Sequence, residues 1–347
     1  MFRFLFFPIS AVWSLFMKFR RRFYANGRRI ESKIPTICVG NLCMGGSGKT
    51  PHVEYLINLL RYQYKTAVLS RGYKRKTKGF LFANSSSLCE EIGDEALLLY
   101  RKNSGTMVAV CEDRVKGLRK ISEKMPDINV VILDDAYQYL KLKCGLSIIL
   151  TDYYLTYPHD KVFPVGNLRE SPSAAAEADI IVVTKSPKVM LDLDRQMFRE
   201  KIKPLPHQKL YFSYIEYGQL QPLTAAAQTI DTETIRSVVS VSGIANPYLF
   251  QDYISHKYRE KEYLTFPDHH AFKKKDIDKM IGLYNRAIMR NRAIITTEKD
   301  AMRLTIGDLW QQIAHLPIFS LPIEVKFHEK YREDFADQIL NYVSRES

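Results

Sequence analysis

Short β-branched runs alternate with amphipathic stretches through the first two-thirds of the chain. The apolar clusters at 36–40, 66–70, 106–111, 128–134, 146–151 and 179–184 have the length and Val/Ile content of buried strands. Between them apolar residues recur every three or four positions over 52–62, 91–102, 115–124 and 191–202, which predicts helices. Strand and helix in alternation predict an α/β fold with a doubly wound, mostly parallel sheet. Pro204 and Pro206 mark a change of architecture, and a polar stretch follows at 217–235. Beyond it a smaller α/β lobe is expected, with strands at 237–242 and 293–297 and helices near 247–257, 275–290 and 332–343. The expected division is thus a helix in 1–24, a core over 25–216, a linker or exposed ribbon at 217–235, and a smaller C-terminal lobe over 236–347.

Where the first strand ends, the pattern gives way to chemistry. Residues 39–51 read Val-Gly-Asn-Leu-Cys-Met-Gly-Gly-Ser-Gly-Lys-Thr-Pro, and a periodic helix (Val53, Leu56, Ile57, Leu60) follows at once. Strand, glycine loop, Lys-Thr and helix together make a cradle for nucleotide phosphates, so the sheet is expected to be of the P-loop NTPase type. Glycines let successive backbone N–H groups converge on phosphate oxygens, and the helix adds the positive end of its dipole. The expected ATP-binding residues are Cys43, Met44, Gly45, Gly46, Ser47, Gly48, Lys49 and Thr50. Lys49 would reach the β- and γ-phosphates and the Thr50 hydroxyl would hold Mg²⁺. Cys43 stands where the usual pattern has glycine. Met44 stands where the dimerising variety of this loop has a second lysine, which points to a plain phosphate cradle. Pro51 falls in the first helical turn, where its missing N–H has no helical partner to lose.

Charge narrows the partners. Lys and Arg exceed Asp and Glu by thirteen in 347 residues, so the surface favours anions: nucleic acid, anionic lipid or a phosphorylated substrate. The apolar fraction of 46% belongs to a globular chain. Five scattered cysteines without C-x-x-C spacing argue against a disulfide frame or a zinc site, and Cys38 and Cys43 read as small fillers beside the loop.

The N-terminal run 2–19 is apolar but broken by Arg3, Pro8 and Lys18, and it is shorter than the 20 or so residues a spanning helix needs. It has no signal-type cleavage site. Leu5, Ile9, Val12, Trp13, Phe16 and Phe19 fall at helical spacing, and Arg20, Arg21, Arg22, Arg28, Arg29 and Lys33 follow. This predicts an interfacial helix, its apolar face in the bilayer and its arginines on headgroup phosphates, with the rest of the chain in the cytoplasm. A core helix of a soluble domain is the plainer alternative.

Further along, an apolar strand ends in Asp134-Asp135, the arrangement that holds Mg²⁺ beside a phosphate loop. Gly93-Asp94-Glu95 opens an apolar helix: Asp94 is either an N-cap or a general base aimed at a hydroxyl. Arg71, Arg114 and Arg169 come at or just after strand ends, and Arg169 sits next to Glu170. Two of the eight histidines, His269 and His270, lie in one loop with Asp268, too few ligands for a metal site: the loop is either a plain turn or carries a histidine that orients a catalytic carboxylate. Thr296-Thr-Glu-Lys-Asp300 reads as helix capping.

In this order the segments VGNLCMGGSGKTP, LSRGYKRK, GDEALLL, VCEDRVKG, VVILDDAYQY, GNLRE, SVSGIANPYLF, FPDHHAF and TTEKDAMRL resemble the tetraacyldisaccharide 4'-kinase family of lipid A biosynthesis. They run from residue 39 to about 304. The family usually has Asp-Asp-Gly-Phe-Gln-His where this chain has Asp134-Asp135-Ala136-Tyr137-Gln138-Tyr139; Ala136 replaces the glycine and Tyr139 the histidine, and no role is carried to either. The resemblance implies an ATP- and Mg²⁺-dependent kinase at the cytoplasmic face of the bacterial inner membrane, phosphorylating a disaccharide lipid and needing no obligate protein partner. It implies Asp94 as the base for the 4'-hydroxyl, supported by His269, with the metal at Thr50, Asp134 and Asp135. It places Tyr73, Arg114, Gln138, Arg169 and Glu170 around ATP, metal or lipid headgroup. The rival is a membrane-peripheral regulatory NTPase without a lipid acceptor. A nucleic-acid-binding protein is disfavoured, because the positive charge sits beside an apolar helix and no recognition module appears.

Overall fold

The computed structural model describes residues 5–346 except 287, 290 and 306. Phe2, Arg3 and Phe4 of the apolar run, and positions 287 and 290 of the helix expected at 275–290, lie outside the described residues. The chain divides into two units: residues 1–215 with 325–347, and residues 216–324.

The first unit is built on one sheet. Among the described residues it has nine strands, in the order Ile323–Phe327, Lys209–Tyr217, Ile180–Thr184, Leu146–Asp152, Thr36–Asn41, Val130–Asp134, Thr66–Ser70, Met107–Val110 and Leu81–Phe82. The pairs from Lys209–Tyr217 to Met107–Val110 are parallel, and Leu81–Phe82 closes that edge antiparallel. The strand before the phosphate loop is central and fully buried, as its Ile-Cys-Val run requires when helices cover both faces. Its register sets Val39 beside Asp134, which brings the end of the acidic strand alongside the loop. Helices Lys49–Leu60, Asp94–Lys102 and Arg114–Lys124 fall where the periodicity put them. The first begins three residues early, directly after Gly48, whose φ of 85° suits glycine. The helix expected over 91–102 is split: Cys89–Ile92 and Asp94–Lys102 are separated by Gly93 at φ 88°.

The second unit has its own sheet, in the order Gln221–Pro222, Ile318–Leu321, Arg292–Thr297, Ser237–Ser242 and Glu260–Thr265. Among the described residues its pairings are parallel except that of Gln221–Pro222 with Ile318–Leu321. Two apolar clusters, one around Val238, Phe250 and Ile295 and one around Val241, Ile277 and Ile294, form its core.

The boundaries differ from the expected ones in two places. The stretch 217–235 is no exposed ribbon: it holds a paired strand, the short helix Ala225–Gln228 and the buried side chains Leu220, Ala227 and Ile235. The last helix, Glu329–Glu346, belongs to the first unit, because Phe335 stacks on Phe327 (4.0 Å) and meets Tyr55 and Tyr211. Among the described residues eight strands went unforeseen: the two-residue pieces Ile30–Glu31, Leu81–Phe82, Leu142–Lys143 and Gln221–Pro222, and the longer Lys209–Tyr217, Glu260–Thr265, Ile318–Leu321 and Ile323–Phe327. Glu260–Thr265 explains why: it is an edge strand with Leu264 as its one buried side chain, so it carries almost no apolar signal.

The N-terminal helix, Phe7–Ala25, is turned apolar side out. Leu5, Phe7, Ile9, Val12, Leu15, Phe16 and Phe19 are exposed, and the buried positions are Ser10, Met17 and Arg21. No helix of the described residues is long and apolar enough to cross a membrane.

Candidate active site

The phosphate loop is held in shape before any ligand arrives. Gly45 (φ 106°) and Gly48 (φ 85°) take the left-handed conformations that turn backbone N–H groups toward one centre. Its outer side is laced to a second loop by backbone bonds: Met44 N donates to Asn167 O (2.7 Å), Arg169 N donates to Leu42 O (2.8 Å), and Cys43 bridges Leu168. Its far end is held by Thr184 Oγ1, which donates to Ser47 O (3.0 Å), and by His52, whose Nδ1 meets Gly48 O at 2.7 Å and whose Nε2 meets Ser213 Oγ at 3.0 Å. Burial drives the His52 pKa down to about 4, so the ring is neutral near pH 7, donating from one nitrogen and accepting at the other. Burial likewise pushes the Cys43 thiol up to about 11, in keeping with a filler.

Lys49 opens the helix and folds back over the loop. Its Nζ donates to Asn41 Oδ1 (3.3 Å) and lies 3.7 Å from Asp135 Oδ2. Asp134 ends its strand buried, accepting from Ser70 Oγ at 3.0 Å. Burial first, then the neighbouring Asp135, push its carboxyl above the usual range, while Lys49, Ser70 and Arg114 pull it back. Asp135 sits at φ 49° and takes a second cation, Arg169, whose Nη1 is 3.5 Å from Oδ2 and 3.4 Å from Gln138 Oε1. The acidic turn packs hard on the central strand: a Cβ at Gly40 would stand 2.4 Å from Tyr137 Cβ, so only glycine fits there.

Arg114 is buried at the start of its helix, donating to Glu112 O (3.0 Å) and toward Asp135 O (3.4 Å). Its pKa is lowered, by burial and then by Arg71 nearby. Lys49, Asp134, Asp135, Arg114, Gln138 and Arg169 therefore share one neighbourhood. Tyr73 is exposed, and its backbone is pressed against Gly93, just ahead of Asp94. Asp94 is buried as the first residue of its helix; Gly93, not Asp94, takes the N-cap.

Two sequence expectations need correction. Glu170 is 1% exposed and turned away from solvent, its Oε2 taking Nε (3.0 Å) and Nη2 (2.8 Å) of Arg21. Arg21 and Arg29, expected on lipid headgroups, instead point inward: Arg21 also meets Glu177 (2.9 Å), as does Arg29 (2.7 Å). Helix geometry is the reason, since Arg21 lies eleven positions after Ser10, on the face that packs. At the positions of the family's glycine and histidine, Ala136 is buried and Tyr139 donates to Asp113 Oδ1 (2.8 Å).

In the second unit His269 sits at φ 57°, with Lys299 Nζ 3.3 Å and Asp268 Oδ2 3.6 Å from its Nε2. His270 is engaged locally, Nε2 on Asp276 (2.8 Å) and ring stacked on Phe266 (4.5 Å). Sequence reasoning missed Asn41, Ser70, His52 and Thr184. Asn41 and Ser70 end strands that were identified, and that placement was their one visible signal.

The sequence model of the Tetraacyldisaccharide-1-P 4'-kinase family matches residues 2–343. The chain belongs to this family. The tetraacyldisaccharide 4'-kinase of Parabacteroides distasonis is 40% identical over 351 residues, covering 97% of this chain and 93% of its own. That of Bacteroides thetaiotaomicron is 36% identical, covering 97% and 92%. The crystal structure of LpxK from Aquifex aeolicus in complex with ATP superposes with a TM-score of 0.74 at 28% identity, covering 99% of each chain. The family's kinase activity and P-loop fold agree with the site built above, and the parallel sheet matches the expected class.

Proposed function

We propose that the chain transfers the γ-phosphate of ATP to the 4'-hydroxyl of a tetraacyldisaccharide 1-phosphate, with Asp94 as the general base and 43–50 as the phosphate cradle. The observation that carries this reading is the convergence of Lys49, Arg114 and Arg169 on the Asp134–Asp135 turn beside the loop, in a chain matched to this family along its whole length. Phosphoryl transfer asks a protein mainly for alignment and for neutralisation of charge on the transferring group. Lys49, loop N–H groups and the two arginines supply both.

Thr50, Asp134 and Asp135 would hold Mg²⁺. The donor set is all oxygen, as that ion prefers, and the raised pKa of Asp134 beside Asp135 marks a place where added positive charge is stabilising. When bound, Mg²⁺ neutralises charge on the β- and γ-phosphates. Asp94 takes the acceptor hydroxyl's proton as attack begins, which sugar hydroxyls need because they are weak nucleophiles. His269 is assigned the support of Asp94. The commitment of His270 to Asp276 and Phe266 favours His269 for that part.

The outward apolar face of Phe7–Ala25 supports a place on the cytoplasmic face of the inner membrane, where a lipid acceptor lies. Trp13 among the exposed positions fits an interfacial depth.

The test is transfer of label from γ-labelled ATP to a disaccharide-1-phosphate lipid in detergent micelles, with lipid-free and Lys49→Ala controls. Label on the lipid, dependent on Mg²⁺ and lost in the variant, is the expected result. ATP hydrolysis with unlabelled lipid would instead make the chain a regulatory NTPase.

A further inference from the structure

We infer that Arg21, Trp13 and Ser10 are positioning residues for the reaction: through them the N-terminal helix sets the loop that carries Arg169. This deepens the lipid-kinase reading above and rests on it.

The helix Phe7–Ala25 leaves most of its apolar side chains exposed, and of its three buried side chains, Ser10, Met17 and Arg21, two are polar. What holds it is a row of specific bonds to one loop. Ser10 Oγ donates to Val162 O (2.9 Å) and accepts from Val165 N (3.2 Å). Trp13 Nε1 donates to Arg169 O (3.0 Å). Arg21 gives two N–H groups to Glu170 and a third to Glu177, and its guanidinium lies 5.2 Å from the Tyr137 ring centre. The helix therefore grips residues 162, 165, 169 and 170 in turn.

That loop also touches the chemistry. Arg169 reaches Asp135 and Gln138, and residues 167–169 brace the phosphate loop through Met44, Cys43 and Leu42. Glu170 is buried with no hydrogen-bond partner for Oε1 among the described residues, and the cation on its Oε2 is Arg21. Taking Arg21 away leaves a buried carboxylate uncompensated, which must then either take up a proton or draw the loop toward water, and either change removes the bonds that fix the loop. Arg169, one residue away, moves with it. The same helix that meets the lipid surface thus fixes an active-site cation, and lipid docking and alignment of Arg169 become one event.

The experiment compares the full-length chain with Trp13→Phe, Arg21→Gln and Arg21→Lys. Trp13→Phe keeps an aromatic ring for the lipid and removes the N–H donor along with part of the ring's bulk. Four readings are taken: sedimentation with anionic vesicles, melting temperature, KM for the lipid, and kcat at saturating lipid. A merely structural or membrane-anchoring role moves the first three and leaves kcat alone. The expected result is a kcat lower by roughly tenfold in Arg21→Gln, in the range known for small misplacements remote from the chemistry. Trp13→Phe should show a smaller kcat loss with vesicle binding intact, and Arg21→Lys a partial recovery, since an ammonium cannot span both glutamates. Unchanged kcat in Trp13→Phe and Arg21→Gln overturns the inference, as does a loss that follows only melting or vesicle binding. If Arg21→Gln does not fold, Trp13→Phe decides alone. Should the unaltered chain transfer no label to lipid, the underlying reading falls instead.

Discussion

The phosphate loop and the N-terminal helix both lean on the segment 162–170, but with different kinds of bond. The phosphate loop is joined to it by main-chain hydrogen bonds and a β-bridge, which most side-chain substitutions leave in place. The helix is joined by three side chains, Ser10, Trp13 and Arg21, each removable by one substitution. A cradle that must hold phosphates on every turnover is fixed by the backbone. The helix, with its exposed apolar face, is fixed by side-chain contacts that single substitutions remove. The comparison teaches that one loop serves a rigid neighbour and an adjustable one.

The largest effects should come from the chemistry itself, with both anchorages intact. Lys49→Ala and Asp94→Ala should each lower kcat by at least about 10²-fold, the usual scale for losing a charge-stabilising donor or a general base. The Lys49→Ala melting curve should change little, because the side-chain partners described for Lys49 are Asn41 and Asp135. Asp94 is buried and accepts from Glu95 N, so the kcat of its variant is compared in folded chain only. An Asp94→Ala chain working at a near-normal rate would end the general-base role.

Gly40→Ala attacks the backbone side of the comparison. Its new methyl meets Tyr137 Cβ at 2.4 Å in a strand that cannot shift, being paired on both edges. A destabilisation of about 1–3 kcal/mol is expected, together with loss of turnover as the Asp134–Asp135 turn is pushed off the loop. Full activity at an unchanged melting temperature would show that this turn has slack.

How much of this was legible follows the same line. The loop, its strand and helix, the acidic pair and the arginines were visible because their signals are local: glycines at fixed spacing, apolar runs ending in charge. The division between units was not. The Phe335 face that brings the last helix back to the first unit depends on partners such as Tyr55 and Tyr211, more than a hundred residues away. Arg21 misled for a related reason. Within a run of arginines nothing marks the one that faces inward, and its partner Glu170 lies 149 residues on.

The loop's far anchorage gives a pH test. His52 is neutral in the fold with a pKa near 4, against about 6.5 unfolded. Between those values the unfolded chain binds the extra proton, so stability is whole above pH 6.5 and is lost progressively as pH falls toward 4. The loss is on the order of 3 kcal/mol at most. Melting temperature against pH should show this slope in the unaltered chain and a shallower one in His52→Gln. Parallel slopes would mean that other groups dominate acid unfolding.

The mildest prediction separates the two ends of the phosphate loop. Thr184→Val keeps volume and removes the hydroxyl that donates to Ser47 O at 3.0 Å. The strand stays in register, held by parallel pairing to Leu146–Asp152 on one side and Lys209–Tyr217 on the other. One buried hydrogen bond is worth about 1 kcal/mol net. It acts on the loop's shape and not on the reacting atoms, so it should appear as a KM for ATP raised about fivefold with kcat nearly unchanged. Weakening the opposite end through Trp13→Phe should do the reverse, lowering kcat with the KM for ATP held, because the backbone bonds to Asn167 and Leu42 survive. If both variants raise the KM for ATP alike, the loop behaves as a single body, and the segment 162–170 does not divide its work between cradle and helix.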